Sequence, residues 1–162
     1  MEQSERQYWV VKQQQVANSY FENYTAYQKR RFEAEHLGAL ALLMANHLTN
    51  NDEFSYWQSQ FDEVVRLLPK PNTSNSSEER AYLFKWMDLK TKLRIKYKWY
   101  CTTDASGVAI GIGIGLCIGS GLGIFMKNLA TGLALGVGIG AFLGLLMKRF
   151  IIAKAIKAGR AY

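Results

Sequence analysis

Polar and apolar positions alternate with a helical period through most of the chain. Phe54, Trp57, Phe61, Val64, Val65 and Leu68 recur at i, i+3, i+7, i+10, i+11 and i+14, the stripe of an amphipathic helix. Asp52 is placed to cap its start, and Pro69 with Pro71 ends it. Ser76-x-x-Glu79 forms a capping-box pattern that opens a helix from about Glu78. That helix carries Tyr82, Trp86 and Leu89 and runs toward Trp99 and Tyr100. Before residue 50 the pattern is again helical, in one or two pieces. Val16, Tyr20, Tyr24 and Tyr27 form one stripe, and Leu37–Ala45 is a nearly continuous apolar run. The run is too short to span a bilayer and reads as a buried bundle helix.

After residue 104 the pattern changes. Gly107–Met126 has Ser120 as its only hydroxyl, and Leu129–Met147 has only Thr131. Each stretch is about long enough to cross a hydrocarbon core of roughly 30 Å as a helix. Lys127-Asn128 separates them, and Asn tolerates the left-handed conformation that ends helices. The expectation is a tight helical hairpin. The fold class is therefore all-α: a cytosolic helical domain over residues 1–104, with a polar linker at 71–77, then a transmembrane hairpin over 105–147. A basic amphipathic tail over 148–162 continues the second helix along the headgroups.

Composition sharpens this division. The mean hydropathy of −0.11 averages two unlike halves. All 13 acidic residues fall within 1–104, and twelve of the 14 glycines fall between Gly107 and Gly144. Basic residues cluster on both flanks of the apolar stretch: Lys90, Lys92, Arg94, Lys96 and Lys98 before it, Lys148, Arg149, Lys154, Lys157 and Arg160 after it. A nucleic-acid binder would instead spread its cations over one continuous surface, so nucleic acid is not an expected partner. Positive-inside reasoning puts both termini in the cytoplasm of a bacterial-type inner membrane and the Lys127 turn outside. Residues 1–15 lack the apolar core of a signal peptide, so the N-terminal half is expected to stay where it is made. Lys96, Lys98, Trp99, Tyr100, Lys148 and Arg149 are the expected interface residues, with Trp99 and Tyr100 as an aromatic belt and anionic inner-leaflet lipid as the partner.

The glycine spacing is the most specific signal. Gly107, Gly111, Gly115, Gly119 and Gly123 are each four apart, and Gly132, Gly136, Gly140 and Gly144 repeat the interval. Gly113, Gly121 and Gly138 form a second row. A glycine costs about 1 kcal/mol in a helix relative to Ala, so so many require a cause. In lipid that cause is close backbone approach. A four-residue step advances about 40°, so five glycines turn through about 160°. One flat contact cannot use that surface, which points to a second contact between copies and hence to a homo-oligomer. The stretch GVAIGIGIGLCIGSGLG…NLATGLALGVGIGAFLG resembles the glycine-zipper hairpins of small bacterial membrane proteins. The resemblance implies close helix packing and often oligomerisation, and no particular activity.

Catalytic chemistry is sparse. His36 and His47 stand eleven residues apart, about 16 Å along one helix, too far to share a metal. Cys101 and Cys117 form no CxxC site, and the glycine runs lack the GK[ST] ending of a phosphate loop. No metal or cofactor is expected. Arg31-x4-His36 resembles the Arg-x4–6-His pattern of HEPN-type ribonucleases, but Phe32 replaces the usual polar residue after the Arg. The alternative is a solvated basic turn, Lys29-Arg30-Arg31, and the expectation is that the protein is not an enzyme. The spans hold no charge ring and no relay carboxylate, which argues against a selective channel. The leading functional expectation is an oligomeric effector that impairs the bilayer or forms a pore, controlled by its cytosolic domain. The alternative is a membrane-anchored scaffold that holds a cytosolic protein partner through residues 1–104.

Overall fold

The computed structural model describes residues 3–71, 75–103 and 106–162. Among them the chain forms seven helices: α1 Gln3–Asn23, α2 Ala26–Phe32, α3 Ala34–His47, α4 Asn51–Arg66, α5 Ser76–Tyr97, α6 Ser106–Phe125 and α7 Leu129–Lys157. No strand occurs among the described residues; Tyr100 and Ala161 form an isolated parallel bridge. The helices divide into two compact units, residues 1–99 with Tyr162 and residues 100–161. The fold is a helical bundle followed by an apolar helical hairpin. Part of the expected linker, residues 72–74, lies outside the described residues.

In the first unit α1 packs along α3. The apolar run of α3 buries Leu37, Leu40, Ala41 and Met44 completely. Gly38 permits the approach, since a Cβ there would meet Gln14 Cγ at 3.1 Å. α4 buries Phe54, Trp57, Phe61 and Val64, as its period predicts. Trp9 sits edge-on to Phe54 (5.5 Å) and Phe61 (5.3 Å). Its indole N–H donates to Asp62 at 2.9 Å, as does the Gln13 amide. Burying each aromatic body while tying its polar end is what such side chains require.

Several ends differ from the sequence reading. Asn50, not Asp52, caps α4, accepting from the Asp52 N–H at 2.9 Å. Asn75 rather than Ser76 caps α5, and Glu78 takes the Asn75 amide at 2.8 Å. The capping box that does form joins Thr25 and Gln28 at the start of α2. That cap interrupts the Val16–Tyr27 stripe: Tyr24 is buried between helices while Tyr27 is exposed. The segment before residue 50 therefore forms three helices.

The α2–α3 break rests on Glu33, which adopts φ 51° and ψ 34°. The left-handed conformation costs a non-glycine residue roughly 1–2 kcal/mol. α5 offsets it: the Trp86 indole N–H and the Lys90 ammonium both reach Glu33 Oε2, at 3.0 and 2.7 Å. The Tyr82 hydroxyl donates to the Phe32 carbonyl at 2.7 Å beside them. Replacing Glu33 with Ala strands two part-buried donors and should destabilise the bundle by about 1–3 kcal/mol. Thermal melting followed by circular dichroism checks this; an unchanged midpoint would remove Glu33 from that role.

Three phenols hold their protons more tightly when folded. Burial, then the nearby Tyr20, raises Tyr24. Burial raises Tyr82 well above its ordinary value, with Tyr24 and Glu33 adding to it. Burial also raises Tyr97, and its hydrogen bond to Glu53 adds to that. Because each folded value exceeds the unfolded one, their contribution is complete below about pH 10 and is lost as pH rises beyond it. An alkaline titration of tyrosinate absorbance should show a late class that ionises only as helicity is lost. If all nine tyrosines titrate together while the chain stays helical, the linkage is absent.

Candidate functional site: the glycine seam and its basic base

α6 and α7 are both long and apolar enough to cross a membrane by length and composition. Their contact is backbone on backbone. A Cβ on Gly111, Gly115, Gly119, Gly123, Gly132, Gly136, Gly140 or Gly144 would fall under 3.0 Å from backbone atoms across the seam. At Gly107 a Cβ would meet Lys148 Cβ at 3.2 Å. The register is antiparallel, from Gly107 beside Gly144 to Gly123 beside Leu129. No side chain fits between the helices, and the apolar residues point outward.

The seam corrects one step of the sequence reasoning. The drift of the four-residue stripe was expected to leave glycine surface for a neighbouring copy. Instead all five glycines of the α6 stripe meet α7. Of the twelve hairpin glycines, Gly113, Gly121 and Gly138 have open space where a Cβ would stand. Beside the seam runs a groove of about 200 Å³, with a glycine floor and walls that include Ile110, Ile114, Ile139 and Leu143. The Ser120 hydroxyl turns back to its own helix, within reach of the Leu116 and Cys117 carbonyls at 2.8 and 2.9 Å.

At the turn, Lys127 rather than Asn128 takes the left-handed conformation, with φ 51°. Asn128 caps α7 instead, accepting from the Thr131 N–H at 3.2 Å. A cap side chain is more useful there than conformational tolerance, because the first N–H groups of an apolar helix otherwise lack partners.

The expected interface residues separate. Lys148 and Arg149 lie on α7, Lys148 half-buried and Arg149 exposed. Tyr100 is half-buried and its N–H donates to the Arg160 carbonyl at 2.9 Å. Lys98 ends α5 with φ 59°. Lys96 pairs with Glu53, which also accepts from the Tyr97 hydroxyl. Those two donors, Lys96 first, hold the Glu53 carboxyl below its usual range, and Glu53 in turn raises Lys96. Trp99 does not stand free as a belt aromatic. It is 2% exposed, stacks on Tyr97 at 4.8 Å and meets His47 edge-on at 5.9 Å. Its large apolar face finds partners within the helical unit.

Arg31 and His36 lie on opposite sides of the Glu33 break, on α2 and α3. Arg31 pairs with Glu79 at 3.2 Å and lies over the Tyr27 ring. His36 is buried, with Glu35 at 3.6 Å and the Tyr162 ring edge-on at 6.5 Å. Each has its own set of neighbours. Among the described residues no group of three or more His, Cys, Asp or Glu side chains could hold a metal ion. α5 carries a feature the sequence reading did not resolve: Phe84, Met87 and Ile95 are 77, 62 and 68% exposed. Their spacing runs along the face turned away from Tyr82, Trp86, Leu89 and Leu93, a contrast visible once the buried row is known.

Compared with known proteins, the chain matches no protein family, no curated protein and no solved structure.

Replacing Gly115 or Gly140 with Ala should therefore open the seam, while Gly113→Ala and Gly138→Ala should be neutral or stabilising by up to about 1 kcal/mol each. Melting the detergent-solubilised protein compares the two pairs. Equal effects from both would sink the distinction between seam and open glycines.

Proposed function

We propose that the protein is a membrane-anchored helical module: α6 and α7 cross a bacterial inner membrane as a closed hairpin, and the helical unit presents a cytoplasmic surface to a protein partner. The observation that carries this reading is the completed seam. A hairpin whose four-residue glycine stripe is used up within one chain can pack without a second copy and offers lipid an apolar exterior. The Ser120 hydroxyl is taken up by carbonyls of its own helix. The surface for a partner is the α5 row of Phe84, Met87 and Ile95, which scattered exposed apolar residues would not produce.

Topology supplies the first test. Lys127→Cys should react with a membrane-impermeant maleimide in intact cells, and Ser4→Cys only after permeabilisation. The Cys101→Ser/Cys117→Ser background keeps the readout clean. The reverse pattern, or labelling of both in intact cells, would overturn the proposed orientation. The anchor role predicts that cross-linking recovers a defined partner from wild type and loses it with Phe84→Ser/Met87→Ser/Ile95→Ser.

A second reading has its own observation. Gly113, Gly121 and Gly138 remain open on the hairpin exterior, and small residues let neighbouring helices approach. In this reading copies assemble through that row and the assembly impairs the bilayer. Dye release from liposomes should then rise with protein density and fall with Gly113→Leu/Gly138→Leu. An oligomer that forms without leakage would end it.

A further inference from the structure

The base of the hairpin holds a second recess, built wholly within residues 100–161. Leu145, Lys148, Arg149, Ile152 and Ile156 share one face of α7, at i, i+3, i+4, i+7 and i+11, and this face lines an open groove together with Thr102. The position of Thr102 follows from its neighbours. Gly159, with φ 64°, turns the chain at the end of α7, and the Arg160 N–H closes on the Ala155 carbonyl at 2.8 Å. The Tyr100 N–H then binds the Arg160 carbonyl, and Cys101 is buried. Residues 100–102 are thereby laid beside the last turns of α7.

The charge at this groove is unbalanced. No ion pair among the described residues involves Lys148 or Arg149. Residues 100–161 carry six Lys and Arg side chains and a single acidic one, Asp104. Lys148 and Arg149 thus have no carboxylate partner among the described residues and can receive an anion from outside. An Arg guanidinium offers paired donors to a phosphate, a Lys supplies a point charge, and a hydroxyl completes the set. The groove is also apolar on both sides of the cations. Leu145 lies about one turn toward the hairpin body, and Ile152 and Ile156 lie about one and two turns the other way. A free phosphate would satisfy the cations and leave those walls in contact with water. A phospholipid satisfies the cations and also covers Leu145 with an acyl chain.

We propose that this groove binds one anionic phospholipid, with its phosphate held by Lys148, Arg149 and the Thr102 hydroxyl and an acyl chain against Leu145. The site builds on the reading of α6 and α7 as spanning helices, and it goes further: a discrete, saturable position replaces diffuse attraction to a charged leaflet.

Native mass spectrometry of the full chain, released from detergent with added phosphatidylglycerol or phosphatidylcholine, counts the bound lipid. One phosphatidylglycerol should persist per chain, and Lys148→Gln/Arg149→Gln should weaken its retention by about tenfold or more. Gln keeps the Lys148 stem that covers Gly107, and circular dichroism confirms the hairpin. Lys154→Gln/Lys157→Gln should leave retention unchanged. Equal retention of the two lipids, or equal loss from both double variants, would overturn the site. Retention of inorganic phosphate with no retained phosphatidylglycerol would show an anion site without a lipid, and that too would overturn it. The Lys127→Cys labelling stands apart: a chain that spans yet shows no lipid preference refutes the groove alone, whereas a chain that does not span refutes the anchor.

Discussion

The hairpin depends on an absence, since its seam has no volume for a Cβ. Two backbones at that separation touch along their whole shared length, and every outward residue takes its position from that contact. The isoleucine and leucine walls of the lateral groove, the open second row and the cationic face of α7 are all consequences of one register. Glycine is a poor helix former in water because its backbone loses the most freedom on folding. A helix this rich in glycine is best stabilised where backbone polar groups have no competing water, as in a bilayer interior. The seam thus links the local chemistry to the proposed location.

The helical unit is built on the opposite device. Its core mixes aliphatic side chains with large rings, several of which meet edge-on, with polar ends tied to carboxylates or carbonyls: Trp9 to Asp62, Tyr82 to Phe32, Trp86 to Glu33. These ties fix direction as well as burial. The strained Glu33 is the clearest instance, because the same carboxylate that receives α5 sits at the point where α2 turns into α3. One unit excludes side chains to bring its helices together, and the other uses the largest ones available.

Much of this was legible in the sequence, for reasons that can be stated. The α4 stripe, the α5 core row and the two apolar helices are periodic over many residues, and periodicity survives tertiary context. Helix ends were less legible. Asn50, Asn75 and Lys127 each took a role read onto an immediate or near neighbour, because several adjacent residues had the right chemistry and only packing selected among them. The Val16–Tyr27 stripe misled because period alone cannot see that Thr25 and Gln28 cap a new helix within it. Trp99 looked like a belt aromatic from its place in the chain, but stacking on Tyr97 gave it a nearer partner. A four-residue glycine stripe drifts around a straight helix, yet all five glycines of the α6 stripe meet α7, which period alone does not reveal. Thr102 had no signal at all, since only the Gly159 turn brings its segment beside α7.

One residue type in the hairpin stands under two different steric constraints. At the eight positions pressed against opposing backbone, every nucleotide change that replaces glycine adds a Cβ, so descent should hold them fixed. At Gly113, Gly121 and Gly138 the same changes meet empty space, and drift is free to sample them unless another helix or a lipid comes to lie there. Variation at those three codons would therefore report on what lies against the hairpin's outer face.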